Sequence, residues 1–192
     1  MRFSQAISEG DGISLIVDVA DVDAARAAAA EGAEAVSVTS PVGELRDVIE
    51  LPILWRASTS PSEAAINGAD AWLLSATNAD ADGEWLARQH AEGIELGLDC
   101  VVEVQSEEEL ELVLERVDPE ILLFSVGQDD DADALQRALE LLPDLPAGKL
   151  AVAEVPVSSR DQVDELERAG VDAVIVGARN VAGLVGGVPP QV

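Results

Sequence analysis

The stretch Leu96-Gly-Leu-Asp-Cys-Val-Val-Glu-Val-Gln-Ser-Glu-Glu-Glu-Leu110 predicts one β-strand that leads directly into one α-helix. Residues 99–104 are mostly apolar and rich in valine, which is typical of a strand buried on both faces. Ser106 can accept a hydrogen bond from the first turn of the helix, and Glu109 can reach back to it as a capping box. Glu103 departs from this pattern, because a carboxylate in a buried strand is costly unless it is paired or used in chemistry.

A repeat elsewhere in the chain extends this strand–helix pattern. Residues 31–38, 67–74 and 169–176 each contain a glycine, a small or apolar residue, an acid, an alanine and an apolar run. The glycine is typical of a helix end in the left-handed conformation, and the apolar run is typical of the next strand. Units of this kind at roughly even spacing indicate alternating strands and helices, and hence a parallel sheet.

The whole chain contains eight such strands, at residues 14–19, 35–39, 53–56, 71–75, 99–104, 121–125, 150–154 and 173–176. Helices are expected at 22–30, 42–49, 61–66, 84–91, 107–116, 132–142, 160–169 and 182–185. The predicted fold is therefore of the α/β class, a (β/α)8 TIM barrel. It is compact, with a shortened first βα turn and a truncated last helix, since about 250 residues are typical of this fold. Residues 1–192 are expected to form one domain, with an N-terminal extension at 1–12 and a tail at 186–192.

The composition is strongly acidic, with 38 Asp and Glu residues against 11 Lys and Arg residues and a formal net charge of −27. Lys149 is the only lysine. A carboxylate-rich surface suits a high-salt cytoplasm, because carboxylates hold water and salt screens their mutual repulsion. We expect a halophilic source, although an ordinary acidic protein has the same signature. The negative field repels nucleic acids and anionic membranes, so neither is expected as a partner.

The single cysteine, Cys100, excludes an internal disulfide and a cysteine-based zinc cluster. Its place in a buried strand predicts an inert thiol. Residues 1–12 lack the apolar run of a signal peptide, and no segment approaches the ~20 apolar residues of a membrane span. We therefore expect a cytoplasmic protein. The sequence has no glycine-rich nucleotide loop of the P-loop or Rossmann type, and neither a metal nor an organic cofactor is expected.

Functional side chains of a TIM barrel lie at the carboxyl ends of its strands. Thirteen residues are expected at this edge, and five of them are Thr39, Ser40, Ser75, Thr77 and Gln105. The other eight are the candidate site residues: Asp18, Arg56, Glu103, Ser125, Glu154, Gly177, Ala178 and Arg179. The two carboxylates of Glu103 and Glu154 and the guanidinium of Arg56 are expected to face a common mouth.

Four stretches at this edge resemble one family. Val101-Val-Glu-Val-Gln-Ser-Glu-Glu-Glu-Leu110 resembles the strand-five signature of indole-3-glycerol phosphate synthases, usually L-V-E-V-H before an acidic helix start. Leu51-Pro-Ile-Leu-Trp-Arg-Ala57 resembles their L-P-V-L-x-K-D. Residues 153–157 (A-E-V-P-V) stand where the family has S-E-S-G-I, and residues 176–179 (V-G-A-R) stand where it has V-G-E-S. The resemblance extends from about residue 13 to residue 179.

The resemblance implies a lyase of tryptophan biosynthesis. Enzymes of this family close a pyrrole ring on 1-(o-carboxyphenylamino)-1-deoxyribulose 5-phosphate, an anionic phosphosugar, with loss of carbon dioxide and water. By position, Glu103 and Glu154 match catalytic glutamates, and Arg56 stands where the family has its general-acid lysine. Ser125 replaces an asparagine, and Asp18 takes part of the substrate site that the family builds from an E-I-K segment.

The same resemblance implies a phosphate site after the last strand. Gly177 and Ala178 can offer backbone N–H groups to phosphate, with Arg179 as the cation. Pro156 replaces a glycine whose backbone helps to hold the phosphate in the family. The alternative for residues 177–179 is a plain βα turn.

An acidic stretch at residues 128–133 is either a site for a hard cation or a solvated loop that caps the next helix.

Loss of the family lysines leaves two functions open. Arginine, with a pKa above ~12, is a poor proton donor near neutrality, although it can hold a carboxylate or an oxyanion. Glu103 and Glu154 are therefore either acid–base catalysts or partners that neutralise Arg56. The first case is a diverged lyase of the family type. The second is a degenerate barrel, kept as a phosphate-binding or regulatory subunit.

Isomerisation of a related phosphoribosyl substrate is a third possibility. It requires a cysteine base on an early strand, and Cys100 lies on the fifth.

Overall fold

Eight parallel strands close into a barrel. The structure, a computed structural model, describes residues 2–9, 12–41, 45–57, 60–78, 83–125, 134–178 and 181–184. The strands are β1 Ser14–Asp18, β2 Ala35–Val38, β3 Ile53–Trp55, β4 Ala71–Ser75, β5 Asp99–Val104, β6 Ile121–Ser125, β7 Leu150–Glu154 and β8 Ala173–Gly177. They are hydrogen-bonded in chain order, and β8 pairs with β1. The predicted TIM barrel is confirmed, with every strand end within one residue of its predicted position.

Helices surround the barrel in the predicted alternation. They are α1 Phe3–Ser8, α2 Val22–Ala30, α3 Leu45–Val48, α4 Pro61–Ile66, α5 Glu84–Glu95, α6 Glu107–Arg116, α7 Ala134–Leu141, α8 Arg160–Ala169 and α9 Val181–Leu184. Short 3-10 turns follow β4 at Ala76–Asn78 and α7 at Leu142–Asp144. The predicted starts of α3 and α7, at residues 42 and 132, lie outside the described residues.

Two of these helices differ in detail from the prediction. Helix α5 continues past its predicted end through Gly93, whose bare Cα faces Trp72; a Cβ there would lie 3.5 Å from Trp72 Cε3. Ser106 caps α6 by accepting from Glu109 N–H at 3.2 Å, as predicted. The Glu109 carboxylate, however, accepts from the N–H of Gln105 at 2.7 Å rather than from that of Ser106.

Helix α1 closes the amino-terminal end of the barrel and was not predicted. Its Phe3 and Ile7 are buried in the inner core. The buried carboxylate of Asp99 holds the helix start, because it accepts from the Ser4 N–H at 2.8 Å and forms an ion pair with Arg2 at 3.2 Å. A helix of six residues offers too little periodicity to be found in a polar N-terminal stretch.

The core has two layers, because successive strand side chains point to opposite faces. The inner layer fills the barrel with residues from every strand, among them Ile16, Leu54, Val101 and Leu123. The outer layer packs the other strand face against the helices and includes Trp55, Trp72 and Phe124. Because the interior is filled with apolar side chains, a functional site can form only at the mouth of the barrel, where the inward-facing residues are polar.

The acid in the repeated motif has a structural role. Glu34 accepts from the N–H of Leu15 at 2.8 Å, and Asp172 accepts from the N–H of Ala151 at 2.7 Å. Asp70 likewise accepts from the Ile53 N–H at 2.8 Å. Each acid precedes an even-numbered strand and binds the start of the strand before it. Burial raises the pKa of Glu34, and the hydrogen bond from Leu15 opposes that rise. These contacts fix the register between neighbouring strands.

Candidate active site

The last inward-facing positions of the eight strands form a ring at the barrel mouth. Ile16 and Val101 lie in the inner core, so Asp18 and Glu103, two residues further along, face the same interior. The odd-numbered strands supply charged residues to this ring: Asp18, Arg56, Glu103 and Glu154. The even-numbered strands supply small residues: Ser37, Ser75, Ser125 and Gly177. Charged side chains therefore alternate with small ones, which leave space between them.

Arg56 connects two of the three carboxylates. Its Nη2 donates to both carboxylate oxygens of Glu154 at 2.5 Å, and its Nη1 lies 3.7 Å from Asp18 Oδ1. Ser37 also donates to Asp18 Oδ1, at 2.9 Å. The Arg56 side chain is only 14% exposed, against 33% for Glu154 and 44% for Asp18. The guanidinium is thus held at the mouth with its charge more than balanced.

Glu103 has a different environment from the other two carboxylates. Its Oε1 accepts a hydrogen bond of 2.6 Å from the hydroxyl of Ser125, and the side chain is half-buried. Within the described residues it forms no ion pair. The partner of Glu103 is therefore a neutral hydroxyl, whereas Glu154 and Asp18 face a guanidinium.

Glu103 and Arg56 line one cavity of about 670 Å³ that opens at the mouth. Its other lining residues are Ser60, Trp72, Leu73, Leu74, Ser75, Asn78, Trp85 and Gln89. The volume is in the range of small-molecule sites, about 300–1,000 Å³. The sequence analysis placed Ser75 at this edge but not among the candidate site residues. It did not find Ser37, or the cavity residues Ser60, Trp72, Leu73, Leu74, Asn78, Trp85 and Gln89. The alternation of small residues in even strands was a signal that could have found Ser37.

Gly177 lies at the mouth, where it pairs with Asp18 across β8 and β1. Gly177 and Ala178 are exposed, and a Cβ on Gly177 would meet nothing within 4 Å. The four-residue helix α9 follows. Arg179 lies outside the described residues, as does the acidic stretch 128–133. A phosphate site at this turn therefore stays a prediction.

Two other candidate groups are remote from the mouth. Lys149 lies before β7, at the amino-terminal end of the barrel, where its Nζ is 2.6 Å from Asp118 Oδ1. Cys100 is buried on the outer face of β5, and burial, with a smaller contribution from Asp99, raises its pKa to about 12. Across the described ranges, no three His, Cys, Asp or Glu side chains are grouped so that they could hold a metal ion. No helix in those ranges is long and apolar enough to cross a membrane.

Comparison with known proteins decides the family. The family model of indole-3-glycerol phosphate synthase matches residues 58–182. This chain belongs to the indole-3-glycerol phosphate synthase family. The match includes Glu103 and Glu154, whereas Asp18 and Arg56 lie before it.

Individual relatives agree with this assignment. The indole-3-glycerol phosphate synthase of Shouchella clausii is 31% identical over 165 residues, which cover 76% of this chain and 62% of that enzyme. The synthase of Geobacillus sp. is 28% identical over 175 residues, covering 83% of this chain and 67% of the relative. That of Salinibacter ruber is 38% identical over 120 residues, covering 60% of this chain and 42% of the relative. The chain thus spans only part of the length of these synthases.

Solved structures of similar shape support the fold alone. An N-acetylmannosamine-6-phosphate 2-epimerase from Clostridium perfringens superposes with a TM-score of 0.75 at 14% identity, covering 95% of this chain and 91% of that one. A tryptophan synthase α-subunit from Pyrococcus furiosus superposes with a TM-score of 0.63 at 15% identity, and the coverage is 88% of each chain.

Proposed function

We propose that this chain is a diverged lyase of the indole-3-glycerol phosphate synthase type. Its substrate is a carboxyphenylamino-deoxyribulose phosphate or a related anionic phosphosugar. The observation that carries the proposal is the meeting of Glu103, held by a neutral hydroxyl, and Arg56, held by two carboxylates, in one cavity at the carboxyl end of the barrel.

Glu103 is the acid–base catalyst in this proposal. Ring closure with loss of carbon dioxide and water converts the ketone oxygen of the sugar into water, so this oxygen must receive two protons. Glu103 can deliver and recover protons because its own partner, Ser125, is uncharged. A positioned acid or base of this kind contributes about 10² to 10⁴ in rate. Glu154 is the second candidate acid or base once a substrate carboxylate displaces it from Arg56.

In this proposal Arg56 binds the substrate and does not transfer a proton to it. Its guanidinium stays protonated, so it holds the substrate carboxylate or a developing oxyanion in place. Asp18 and Ser125 line the substrate site, and the backbone N–H groups of Gly177 and Ala178, with Arg179, receive the phosphate. The cluster of Arg56, Asp18 and Glu154 has a net charge of −1 when all three are ionised, and Glu103 adds to it. An anionic substrate therefore binds best at high ionic strength, where this repulsion is screened.

A degenerate, non-catalytic barrel is the second candidate. It is favoured by one observation: the guanidinium of Arg56 is engaged by Glu154 and Asp18, and the single lysine lies at the opposite end of the barrel. In that case the mouth binds a phosphate ligand or a regulatory partner and performs no turnover.

The formation of indole-3-glycerol phosphate by the purified chain separates the two candidates. We expect turnover by the wild type and a loss of about 10² to 10⁴ in kcat/KM for Glu103→Gln, which keeps the shape and removes the titratable group. Glu115→Gln, on the exposed face of α6, is the matched control and should leave the rate unchanged. Phosphate-ligand binding without any turnover, in protein that circular dichroism shows to be folded, would favour the degenerate barrel.

A further inference from the structure

The ion pair of Arg56 and Glu154 spans the mouth of the barrel. The strands follow one another around the closed barrel in chain order, so three strands separate β3 from β7 on either side. These two strands therefore lie opposite each other. Arg56 directly follows β3, and Glu154 ends β7. Because Arg56 Nη2 donates to both carboxylate oxygens of Glu154 at 2.5 Å, the two side chains connect opposite walls. We call this pair the Arg56–Glu154 latch.

The latch divides the mouth into two halves. Glu103, on β5, lies on one side of it, whereas Asp18, on β1, and Gly177, at the end of β8, lie on the other. The cavity of about 670 Å³ is on the Glu103 side. Among the described residues, Arg56 lines this cavity and Glu154 does not. The guanidinium is thus at the edge of the cavity, while its charge is engaged by a carboxylate beyond that edge.

An anion that enters the cavity must compete with Glu154 for this guanidinium. Contacts between a guanidinium and a carboxylate are charge-assisted and stronger than neutral hydrogen bonds. The Arg56 side chain is 14% exposed and that of Glu154 is 33% exposed, so the carboxylate is the partner with better access to water. Exchange would therefore leave Arg56 in place and release Glu154 toward solvent.

The same competition disfavours neutral ligands. A neutral group that displaced Glu154 would replace a charged acceptor with a weaker one and leave a largely buried guanidinium poorly compensated. A carboxylate replaces like with like. The latch therefore distinguishes ligands by whether they carry an anionic group that reaches Arg56.

We propose that Glu154 is a built-in competitor of the ligand carboxylate and determines the specificity of the mouth: a ligand is bound when its carboxylate takes the place of Glu154 on Arg56. The inference rests on the proposed function, which supplies an aromatic carboxylate as the ligand class. It adds a role for Glu154 in binding, before any proton transfer, and it makes the closed latch the resting state of a mouth that can still bind.

Titration of the ¹⁵N-labelled chain with benzoate, an aromatic carboxylate without the phosphosugar, measures binding without turnover. Glu154→Gln keeps the size of the side chain and removes the competing charge. We expect it to lower the Kd of benzoate by at least about tenfold, because Arg56 then loses its charge-assisted partner. Benzamide, a neutral ligand of the same shape, should bind no better to Glu154→Gln than to the wild type.

Two further variants separate competition from general repulsion. Glu154→Asp keeps the net charge but shortens the side chain by one methylene, so it should also tighten benzoate binding. This variant keeps the test available if Glu154→Gln fails to fold. Glu103→Gln removes the same charge from the lining of the cavity and not from the latch. It should change the Kd of benzoate much less than Glu154→Gln does.

The effect of Glu154→Gln must depend on Arg56. We expect the tightening to vanish when Glu154→Gln is made in an Arg56→Gln background. A tightening that persists there, equal effects of Glu154→Gln and Glu103→Gln, or no binding of benzoate by folded Glu154→Gln would overturn the proposal. A chain that shows the Arg56-dependent tightening but forms no indole-3-glycerol phosphate would contradict the lyase and support the latch.

Discussion

At the scale of single residues, the three carboxylates of the mouth are distinguished by their partners. Glu154 and Asp18 face a guanidinium, whereas Glu103 faces a hydroxyl. Removing one of these partners would therefore affect the acids differently, and we propose that Glu103 carries the proton transfer. The position of all four charged residues at the mouth could be predicted from the sequence, because each is the last or the second-last residue of a predicted strand. Their pairing could not, because it depends on which strands face each other across the mouth.

Cys100 provides a residue-level prediction on pH. Its pKa in the folded chain is about 12, against about 8.5 for an unfolded cysteine. The folded state keeps a proton that the unfolded state loses, so the contribution of Cys100 to stability is complete below pH ~8.5. It is lost as pH rises toward 12, by about 1.4 kcal/mol per pH unit. The chain has no tyrosine and one lysine, so few other side chains titrate in this window.

Urea unfolding between pH 8 and pH 10.5 measures this effect. The free energy of unfolding of the wild type should fall over that range, and that of Cys100→Ala should change much less. Parallel pH profiles for the two proteins would contradict the assignment. Rapid labelling of the native thiol by a disulfide reagent at pH 8 would do so as well, since labelling should require unfolding.

At the scale of elements, the acid of the repeated motif, which precedes β2, β4 and β8, connects that motif to barrel closure. The carboxylate of Asp172 accepts a hydrogen bond from a backbone N–H of β7, and Asp172 itself directly precedes β8. Removing the acceptor leaves the N–H of Ala151 unpaired in a partly buried place. The sequence revealed the acid as part of a repeat, but its partner lies 21 residues away and is fixed only by strand pairing.

We therefore expect Asp172→Ala to lower the free energy of unfolding by about 1–3 kcal/mol, the cost of an unsatisfied buried donor. Asp172→Asn, whose amide oxygen can still accept, should cost roughly 0.5–1 kcal/mol. Glu115→Ala, on an exposed helix face, is the control and should stay within about 0.5 kcal/mol of the wild type. Urea unfolding at neutral pH measures all three, and equal losses for Asp172→Ala and Glu115→Ala would rule out the structural role of the acid.

At the scale of the whole molecule, the sequence predicted the strands and helices of the barrel better than it predicted the residues that line the cavity. The eight strands follow from apolar runs behind helix ends, and they were found in place because local patterns specify them. Helix α1 was missed because its burial depends on a contact between Ser4 and Asp99, 95 residues apart.

The net charge of −27 gives the whole-molecule prediction. Self-repulsion among the carboxylates destabilises the compact state, and salt screens it, with a Debye length that falls from about 10 Å at 0.1 M to about 3 Å at 1 M. The melting temperature should therefore rise as KCl is increased from 0.1 M to 2 M. A melting temperature that is flat or falls with KCl would contradict adaptation to high salt.

The most direct test of the catalytic assignment is the rate at which the wild type and Glu103→Gln form indole-3-glycerol phosphate in 2 M KCl. Screening is greatest there, so both the fold and the binding of an anionic substrate are favoured. We predict measurable product from the wild type and a rate lower by at least about 10² for Glu103→Gln. Folded wild-type protein that forms no product, or equal rates for the two proteins, would contradict the assignment of Glu103 as the acid–base group.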